Sequence, residues 1–308
     1  MLPSVSVITP TYNRAHLLPE TLDSILSQPF DDLEYLLVDD GSTDDTAALA
    51  RRYGNRIRYF HHANSGEAAS VNRGWQQANG RYVAIVSSDD PMLPGWLEHS
   101  VAFMDAHPDV LVCYPDWNII DGDSRQLSTV KTFDYTLESM VGWFNTIPGP
   151  GALIRRAPLS HLERLRDPRY RYIPDLESWL TLGLIGRFAR IPTALATWRQ
   201  HEGSITVADR SLRRAEEFIE LATSFFRRPD LPSSLHALRV SALSRAHWYA
   251  SWVLQDTAPV RSALHLRRSY ALMPDEPPDL PPPLRRFARP SVRDVLHAMR
   301  RTVGCGQD

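Results

Sequence analysis

The chain is poor in the features that would place it in several large protein classes. Only two of its 308 residues are cysteines, Cys113 and Cys305, too few for a disulfide framework or a cysteine-based zinc site. No eighteen uncharged apolar residues occur together, and the amino-terminus has no basic segment followed by an apolar one. We therefore expect neither a membrane span nor a signal peptide. A cytoplasmic protein is expected, with a place at the inner face of the membrane left open.

Charge of one sign is not in excess either. The sequence has 34 lysines and arginines against 36 acidic residues, and Lys131 is its only lysine. A formal net charge of −2 gives no general attraction to nucleic acid, so no nucleic-acid partner is expected. Hydrophobic residues make up 43% of the chain, and its length allows one large α/β domain with a smaller appendage, or two modest domains.

Short apolar runs alternate with amphipathic helical patterns in the first third of the chain. This alternation predicts an α/β fold with a mostly parallel, Rossmann-like sheet flanked by helices. Residues 116–150 are rich in turn formers and aromatics, which predicts a loop-rich wall over the site, and 188–198 predict a closing pair of strands. The predicted strands before that wall cover residues 4–10, 33–38, 57–61, 82–86 and 110–114.

From residue 211 onward the periodicity is helical and predicts a C-terminal helical appendage. Helices are expected over 211–226, 233–254 and 259–272, the last two as an antiparallel hairpin that offers a homodimer surface. A proline-rich spacer and an arginine-rich tail follow, and the tail either contacts anionic lipid peripherally or packs as an ordinary helix. The expected domains are 1–205, 206–273 and 274–308.

Two aspartate pairs end apolar runs. Asp39 and Asp40 follow one run, and Asp89 and Asp90 follow another. Ligands bind beyond the carboxyl ends of parallel strands, so both pairs are expected to face one crevice. Four acids there repel one another unless a cation or hydrogen-bond donors offset their charge, which predicts a site for a metal and an anionic ligand. The structural alternative is a pair of turns or helix caps.

Three segments carry a resemblance to a known family. In order, they read VSVITPTYNR, LLVDDGSTDDT and NRGWQQANGRYVAIVSSDD. Together they resemble the family 2 glycosyltransferases with the GT-A fold, over roughly residues 4–205. The resemblance implies a nucleotide-diphosphate-sugar donor, a divalent metal that bridges the diphosphate to the acidic motif, and transfer with inversion.

The resemblance also implies roles for single residues. Asp90 is expected to bind Mn²⁺ or Mg²⁺, and His201 to complete the metal shell or hold the diphosphate. Asp89 is expected to reach the ribose or donor sugar, and Asp40 to accept a hydrogen bond from the base. The remaining residues of the expected nucleotide pocket are Pro10, Tyr12 and Arg14. Core packing, a solvated charge and a structural hydrogen bond are the alternatives for Tyr12, Arg14 and His201.

The sequence departs from the family pattern at two places. Ser88 stands where the acidic motif commonly has an earlier acid, which leaves Asp89 and Asp90 as an adjacent pair. Val71 stands where many relatives carry an arginine, so either a phosphate contact is missing or Arg73 or Arg81 replaces it.

Transfer to a hydroxyl requires a general base. Asp175 matches the acidic residue that the family carries at the start of a helix below the acceptor site. The alternative is a helix N-cap, and Glu177 is the second candidate for the base. The acceptor is expected to be a saccharide or glycoconjugate, with aromatic faces drawn from Trp117, Trp143, Phe144 and Trp179.

The sequence therefore favours a metal-dependent inverting glycosyltransferase that uses a nucleotide sugar, in first place a UDP-sugar, with Asp175 as base. A nucleotidyltransferase acting on sugar phosphates is a second hypothesis. It predicts a glycine- and lysine-rich loop after the first strand, and residues 11–14 contain neither residue type. A non-catalytic sugar-nucleotide-binding module is the third, and it would not need Asp175.

Overall fold

The computed structural model describes residues 3–145, 148–201, 203–204 and 209–273. These residues form two compact units. The first contains the described residues of Met1–Thr136 and Thr146–His201, and the second those of Leu137–Asn145 and Glu202–Asp308. The predicted proline-rich spacer and arginine-rich tail lie outside the described residues.

Within the described residues, the first unit contains an eight-stranded sheet. Its strands are β1 (Val5–Thr11), β2 (Leu33–Asp39), β3 (Arg58–His61), β4 (Tyr82–Ile85), β5 (Val110–Ile120), β6 (Gln126–Val130), β7 (Leu153–Arg155) and β8 (Arg187–Arg199). Their order is β3-β2-β1-β4-β7-β5-β6, and β8 pairs with β5. The pairs β1–β2, β1–β4, β2–β3 and β5–β8 are parallel, whereas β7 lies antiparallel between β4 and β5. The predicted mostly parallel sheet is confirmed.

Helices connect the strands as the apolar spacing predicts. In the first unit they are α1 (Leu18–Leu26), α2 (Thr46–Tyr53), α3 (Glu67–Gln77) and α4 (Trp96–Ala106), while α5 (Leu137–Trp143) belongs to the second unit and α6 (Pro174–Gly183) to the first. All seven residues of β1 are buried, including Ser6, Thr9 and Thr11, as in a parallel strand that is covered on both faces. Leu18, Leu22 and Ile25 of α1 share a core cluster with Val5 and Val7 of β1.

The prediction of a loop-rich wall over 116–150 is wrong for much of that segment. Strand β5 continues to Ile120, and β6 and α5 follow it. The strand continues because β8 pairs with it along its whole length, from Val110 opposite Arg187 to Ile120 opposite Arg199. That pairing is between residues far apart in sequence, and the end of β5 also pairs with β6 in an antiparallel hairpin.

The predicted strand pair over 188–198 is also wrong, since these residues belong to the single strand β8. The register with β5 shifts between Pro115 and Asp116, where Pro192 and Thr193 of β8 have no partner. Proline cannot donate to a strand ladder and is tolerated at such an irregularity. Pro192 therefore does interrupt the pairing locally, but the strand continues beyond it.

The second unit is helical among its described residues. It contains α5, α7 (Leu212–Phe225), a 3₁₀ turn over Ser233–Leu238, α8 (Arg239–Leu254) and α9 (Pro259–Leu272). The predicted hairpin of the last two helices is confirmed, and buried serines join them. Ser244 donates to the carbonyl of Ser269 at 2.9 Å, and Ser262 donates to that of Ser251 at 2.8 Å. Among the described helices, none is long and apolar enough to cross a bilayer.

Candidate active site

The carboxyl ends of β2 and β4 lie on either side of β1. The three strands are parallel, with Thr11 of β1 opposite Asp39 of β2 and Ile8 opposite Ile85 of β4. The loops that follow them therefore leave the same edge of the sheet, where α/β folds bind their ligands. Both predicted aspartate pairs lie at this edge, one on each side of β1.

Asp39 holds the loop after β2. It is fully buried, and its Oδ1 accepts the backbone N–H of Ser42 at 2.8 Å while its Oδ2 accepts the hydroxyl of Tyr59 at 2.6 Å. Burial and the adjacent carboxylate raise the pKa of Tyr59, which keeps that hydroxyl a donor. Asp39 has no exposed surface, whereas Asp40 is 5% exposed, so Asp40 is the member of the pair considered for a ligand.

Asp40 fastens the loop before α3. Its Oδ1 accepts the backbone N–H of Ser65 at 2.7 Å, and its Oδ2 accepts that of Gly66 at 2.9 Å. His62 Nδ1 lies 3.5 Å from Oδ1. Each carboxylate oxygen has a further lone pair, so the group can still accept a bond from a nucleotide base.

The loop after β1 is braced against the loop after β2. Asn13, with a φ of 52°, accepts the backbone N–H of Thr43 at 2.8 Å through its side-chain oxygen. Pro10 is buried at the strand end, whereas Tyr12 is 46% exposed and is therefore available to a ligand rather than packed in the core. The buried Thr11 Oγ1 has no hydrogen-bond partner among the described residues, and sequence reasoning did not single it out.

Asp90 is a buried carboxylate beside a second carboxylate. It is 6% exposed, and its Oδ1 accepts the backbone N–H of Arg199 at 2.7 Å. Burial, and then repulsion from Asp89, raise the pKa of Asp90 well above its ordinary value. His201 Nε2 lies 2.9 Å from Asp89 Oδ2, so the structure brings the predicted histidine to the acidic motif.

The site also uses a residue that sequence reasoning missed. Arg199 is 1% exposed, and its Nε donates to the carbonyl of Asp89 at 2.8 Å while its Nη2 donates to Glu20 at 2.5 Å. Its Nη1 reaches the carbonyl of Asp121 at 3.1 Å. Arg199 therefore fixes the acidic loop through both its backbone and its side chain. A lone arginine before a histidine carries no sequence signal for this role.

Replacing Arg199 with Met should lower the free energy of unfolding of the first unit by about 3 kcal/mol, because several part-buried acceptors lose the donor that the buried arginine supplies. Chemical denaturation measures the change. Arg125→Gln is the control, since the Arg125 side chain is exposed and pairs with the exposed Asp123, and a change within about 0.5 kcal/mol is expected there. Equal stability of both variants would remove Arg199 from the support of the acidic loop.

The donor set can be tested against a divalent metal. No group of three or more His, Cys, Asp or Glu side chains within the described ranges is arranged to hold a metal by itself. Mg²⁺-type sites that serve a diphosphate take one or two carboxylates from the protein and the rest from phosphate and water. Asp90 and Asp89 fit that pattern, because a bound cation would offset the negative charges of these two neighbouring carboxylates.

Asp175 is the second residue of α6, immediately after Pro174. The N-cap of this helix is Ile173, so Asp175 is not the helix N-cap that the sequence left as the alternative. Its Oδ1 accepts the backbone N–H of Leu176 at 2.9 Å. Burial raises the pKa of Asp175, Arg166 opposes that rise, and Glu67 adds to it. A carboxylate with a raised pKa is a stronger base.

Glu177, the second candidate for the base, is engaged elsewhere. Its Oε2 accepts the backbone N–H of Asp167 at 3.2 Å, and its Oε1 accepts the hydroxyl of Thr181 at 3.0 Å. Both oxygens therefore hold the protein together, and Asp175 remains the better candidate for proton removal.

The positions considered for phosphate binding differ in their surroundings. Val71 is fully buried in α3, and Arg81 pairs with Asp105 at 2.9 Å. Arg73 is exposed on α3, and Arg14 is partly buried in the loop after β1.

The aromatic residues considered for the acceptor also differ. In the first unit, Trp179 is buried and lies edge-on to Phe188, whereas Trp117 is partly buried against Gly149, where an added Cβ would lie 2.7 Å from the indole ring. In the second unit, Phe144 is fully buried and Trp143 is partly buried. Trp179 and Phe144 therefore belong to the cores of their units. Of the two acceptor candidates in the first unit, Trp117 is the one that is not fully buried.

Comparison with known proteins identifies the class. Residues 6–162, just over half of the chain, match the model of glycosyl transferase family 2. The chain belongs to this family of enzymes. An uncharacterised glycosyltransferase of Rickettsia prowazekii is 28% identical over 233 residues, which cover 73% of this chain and 72% of the relative. The putative teichuronic acid biosynthesis glycosyltransferase TuaG of Bacillus subtilis is 31% identical over 184 residues, or 58% of this chain and 72% of TuaG.

Solved structures show the same GT-A fold. S. aureus TarS 1–349 in complex with UDP-GlcNAc superposes with a TM-score of 0.62 at 21% identity, over 87% of this chain and 88% of that one. The mannosyltransferase PcManGT from Pyrobaculum calidifontis, in complex with GDP-Man and Mn²⁺, gives 0.61 at 20% identity, over 100% and 89% of the two chains. The fold expectation is confirmed.

Proposed function

We propose that this glycosyltransferase moves a sugar from a UDP-sugar to a saccharide or glycoconjugate acceptor, with a divalent metal and with inversion at the anomeric carbon. The observation that carries the proposal is the buried Asp90 beside the half-buried Asp89 in the loop after β4, next to the β1 loop with its exposed Tyr12. A buried carboxylate beside a second carboxylate is costly without a positive partner.

The nucleotide is proposed to lie over the carboxyl ends of β1 and β2. Tyr12 would pack against the base or ribose above Pro10, and Asp40 would accept a hydrogen bond from the base. Arg14 stands in the same loop and would reach the phosphates. The UDP complexes of TarS support a uridine nucleotide, and the GDP-Man complex of PcManGT makes guanosine the alternative to test.

The acidic loop is proposed to hold the metal. Asp90 would be the carboxylate ligand, Asp89 would face the ribose or donor sugar, and His201 would complete the shell from its position beside Asp89. When bound, Mn²⁺ or Mg²⁺ would neutralise the charge that develops on the departing diphosphate. The Mn²⁺ in the PcManGT complex supports this assignment.

Asp175 is proposed to take the proton of the acceptor hydroxyl. A hydroxyl becomes an effective nucleophile when a positioned carboxylate accepts its proton as the bond to the sugar carbon forms. Direct attack opposite the departing diphosphate inverts the anomeric carbon. The name of the relative TuaG supports an acceptor within a bacterial polysaccharide pathway.

A panel of nucleotide sugars tests the donor and the metal together. UDP-, GDP- and dTDP-sugars are added with Mn²⁺, with Mg²⁺ or with chelator, and thermal shift and nucleotide release are measured. We expect stabilisation and slow hydrolysis with a UDP-sugar and metal, both lost in chelator. Equal binding of the nucleotide sugar with metal and with chelator would overturn the metal assignment. A response only to GDP-sugars would overturn the choice of uridine as the nucleoside of the donor.

A further inference from the structure

Helix α9 exposes three large apolar side chains. Val260 is 60% exposed, Leu264 52% and Tyr270 38%, whereas two of its three buried positions are the serines Ser262 and Ser269. An amphipathic helix of a globular unit normally buries its large apolar residues and exposes its polar ones. Packing against α8 therefore does not account for the apolar residues on the outer side of α9.

The exposed apolar residues are interleaved with arginines. Residues at i, i+4 and i+7 lie on one face of an α-helix, which places Val260, Leu264 and Arg267 in one row. Arg261 and Arg268 form the adjoining row, and all three arginines are exposed. A single exposed leucine is ordinary. Here apolar and cationic side chains alternate over about 15 Å of one helix, at about 1.5 Å per residue.

The three arginines of this face have no acidic partner among the described residues. None of them forms a side-chain hydrogen bond or ion pair there, and the sequence of α9 contains no aspartate or glutamate. By contrast, Arg213 of α7 pairs with Glu220 at 2.8 Å, and Arg228 pairs with Asp230 at 2.8 Å. The chain has a formal net charge of −2, so this uncompensated positive charge is a local feature.

The combination of side chains discriminates among the partners that could cover this face. A second copy in a two-fold dimer would bring the same positive patch against itself, and like charges repel. A purely ionic partner would leave the apolar side chains in water. An anionic bilayer satisfies both kinds of residue, because the headgroup phosphates attract arginine and the boundary of the acyl chains takes up apolar groups.

We propose that the exposed face of α9 docks on the surface of an anionic phospholipid bilayer. We call this face the α9 surface, and it consists of Val260, Arg261, Leu264, Arg267, Arg268 and Tyr270. The helix lies in the plane of the membrane, with its apolar side chains at the boundary of the acyl chains and its guanidinium groups at the phosphates. The proposal is independent of the donor, metal and base assignments. It concerns a different element from the arginine-rich tail.

Vesicle flotation with the full chain tests the α9 surface. Vesicles of phosphatidylglycerol mixed with phosphatidylcholine are compared with vesicles of phosphatidylcholine alone, at low and at high salt. We expect the protein to float with the anionic vesicles only, and less of it to float as salt is raised, because salt screens the attraction. Flotation with neither kind of vesicle, or equal flotation with both, overturns the proposal.

The arginines are tested together in the variant Arg261→Gln/Arg267→Gln/Arg268→Gln. Its affinity for anionic vesicles should fall about a hundredfold, since each arginine near an anionic surface contributes about fivefold. Its melting temperature should stay close to that of the unmodified protein, because these side chains are exposed and unpaired within the described part of the chain. Anionic-vesicle binding that survives the three substitutions would place the contact elsewhere in the chain and overturn the proposal.

A matched control removes the same charge from another surface. Arg51, Arg52 and Arg56 are exposed in α2 and just after it, in the first unit. Changing all three to Gln should leave vesicle binding within about twofold, because no lipid contact is proposed for them. Equal losses in the two triple variants would reduce the effect to net charge and overturn the α9 surface.

The apolar part is tested by Val260→Ser/Leu264→Ser. We expect about tenfold weaker binding to anionic vesicles, because less apolar surface leaves water. Leu127→Ser is the control, since Leu127 is 56% exposed on β6 of the first unit, and its binding should be unchanged. Unchanged binding in the double serine variant would mean a purely ionic contact and overturn the bilayer as partner. Sedimentation equilibrium without lipid shows whether α9 joins two copies instead, and a dimer that these serine substitutions dissociate would also overturn it.

Discussion

Replacing Asp175 with Asn should lower kcat for sugar transfer by about a hundredfold to ten-thousandfold, the usual contribution of a general base. Asparagine keeps the oxygen that accepts the Leu176 N–H and therefore the local structure, but it cannot remove a proton from the acceptor. Donor affinity should remain unchanged because no donor role is assigned to this side chain. Steady-state transfer kinetics and a thermal shift with donor and metal measure the two effects separately.

Glu177→Gln is the matched control for this result. Its carboxylate lies two residues away on the same helix, and a glutamine oxygen can still accept the Asp167 N–H. Most of the transfer activity should survive. If Glu177→Gln abolished transfer and Asp175→Asn did not, the two residues would exchange roles. If both variants kept full transfer activity, neither carboxylate would be the general base of the site.

Replacing Asp90 with Asn should abolish the metal-dependent stabilisation by a nucleotide sugar and lower transfer at least about a hundredfold. The reason is that the loss of one hard oxygen ligand weakens the metal that neutralises the diphosphate. Without metal, the melting temperature should be maintained or raised. Asparagine still accepts the Arg199 N–H and no longer repels Asp89.

The paired behaviour of stability and binding makes this prediction specific. Calorimetry with and without Mn²⁺ and nucleotide sugar measures both in one protein. Asp31→Asn, which removes a carboxylate from the exposed loop before β2, should leave both unchanged. A large loss of stability in Asp90→Asn without metal would mean that the carboxylate supports the fold, and preserved metal-dependent binding would remove it from the metal site.

The two aspartate pairs show how far residue type carries the interpretation and where it ends. Their position after strands could be predicted from the sequence, because buried parallel strands appear as continuous apolar runs and their carboxyl ends meet at one edge of the sheet. The different hydrogen-bond partners of each aspartate could not be predicted. Asp39 accepts the hydroxyl of Tyr59 and Asp90 accepts the backbone N–H of Arg199, and both of these partners come from other strands of the sheet.

The misassigned elements have the same origin. Strand β5 was predicted to end near Tyr114 because the residues after it favour turns, yet it continues along β8. Of the two strands that pair with the extension, β6 follows directly in a hairpin, whereas β8 lies dozens of residues away. A local pattern records which conformations a segment tolerates, and a distant pairing decides among them.

The sequence by itself determined the alternating elements, the parallel sheet, the edge where the acids collect and the family to which the chain belongs, because periodicity and short motifs are local. Only the tertiary structure decided that Arg199 supports the acidic loop and that Asp90 is buried there. Burial and the meeting of charges depend on segments that are brought together by folding, and the free energy of a buried charge is set by those neighbours.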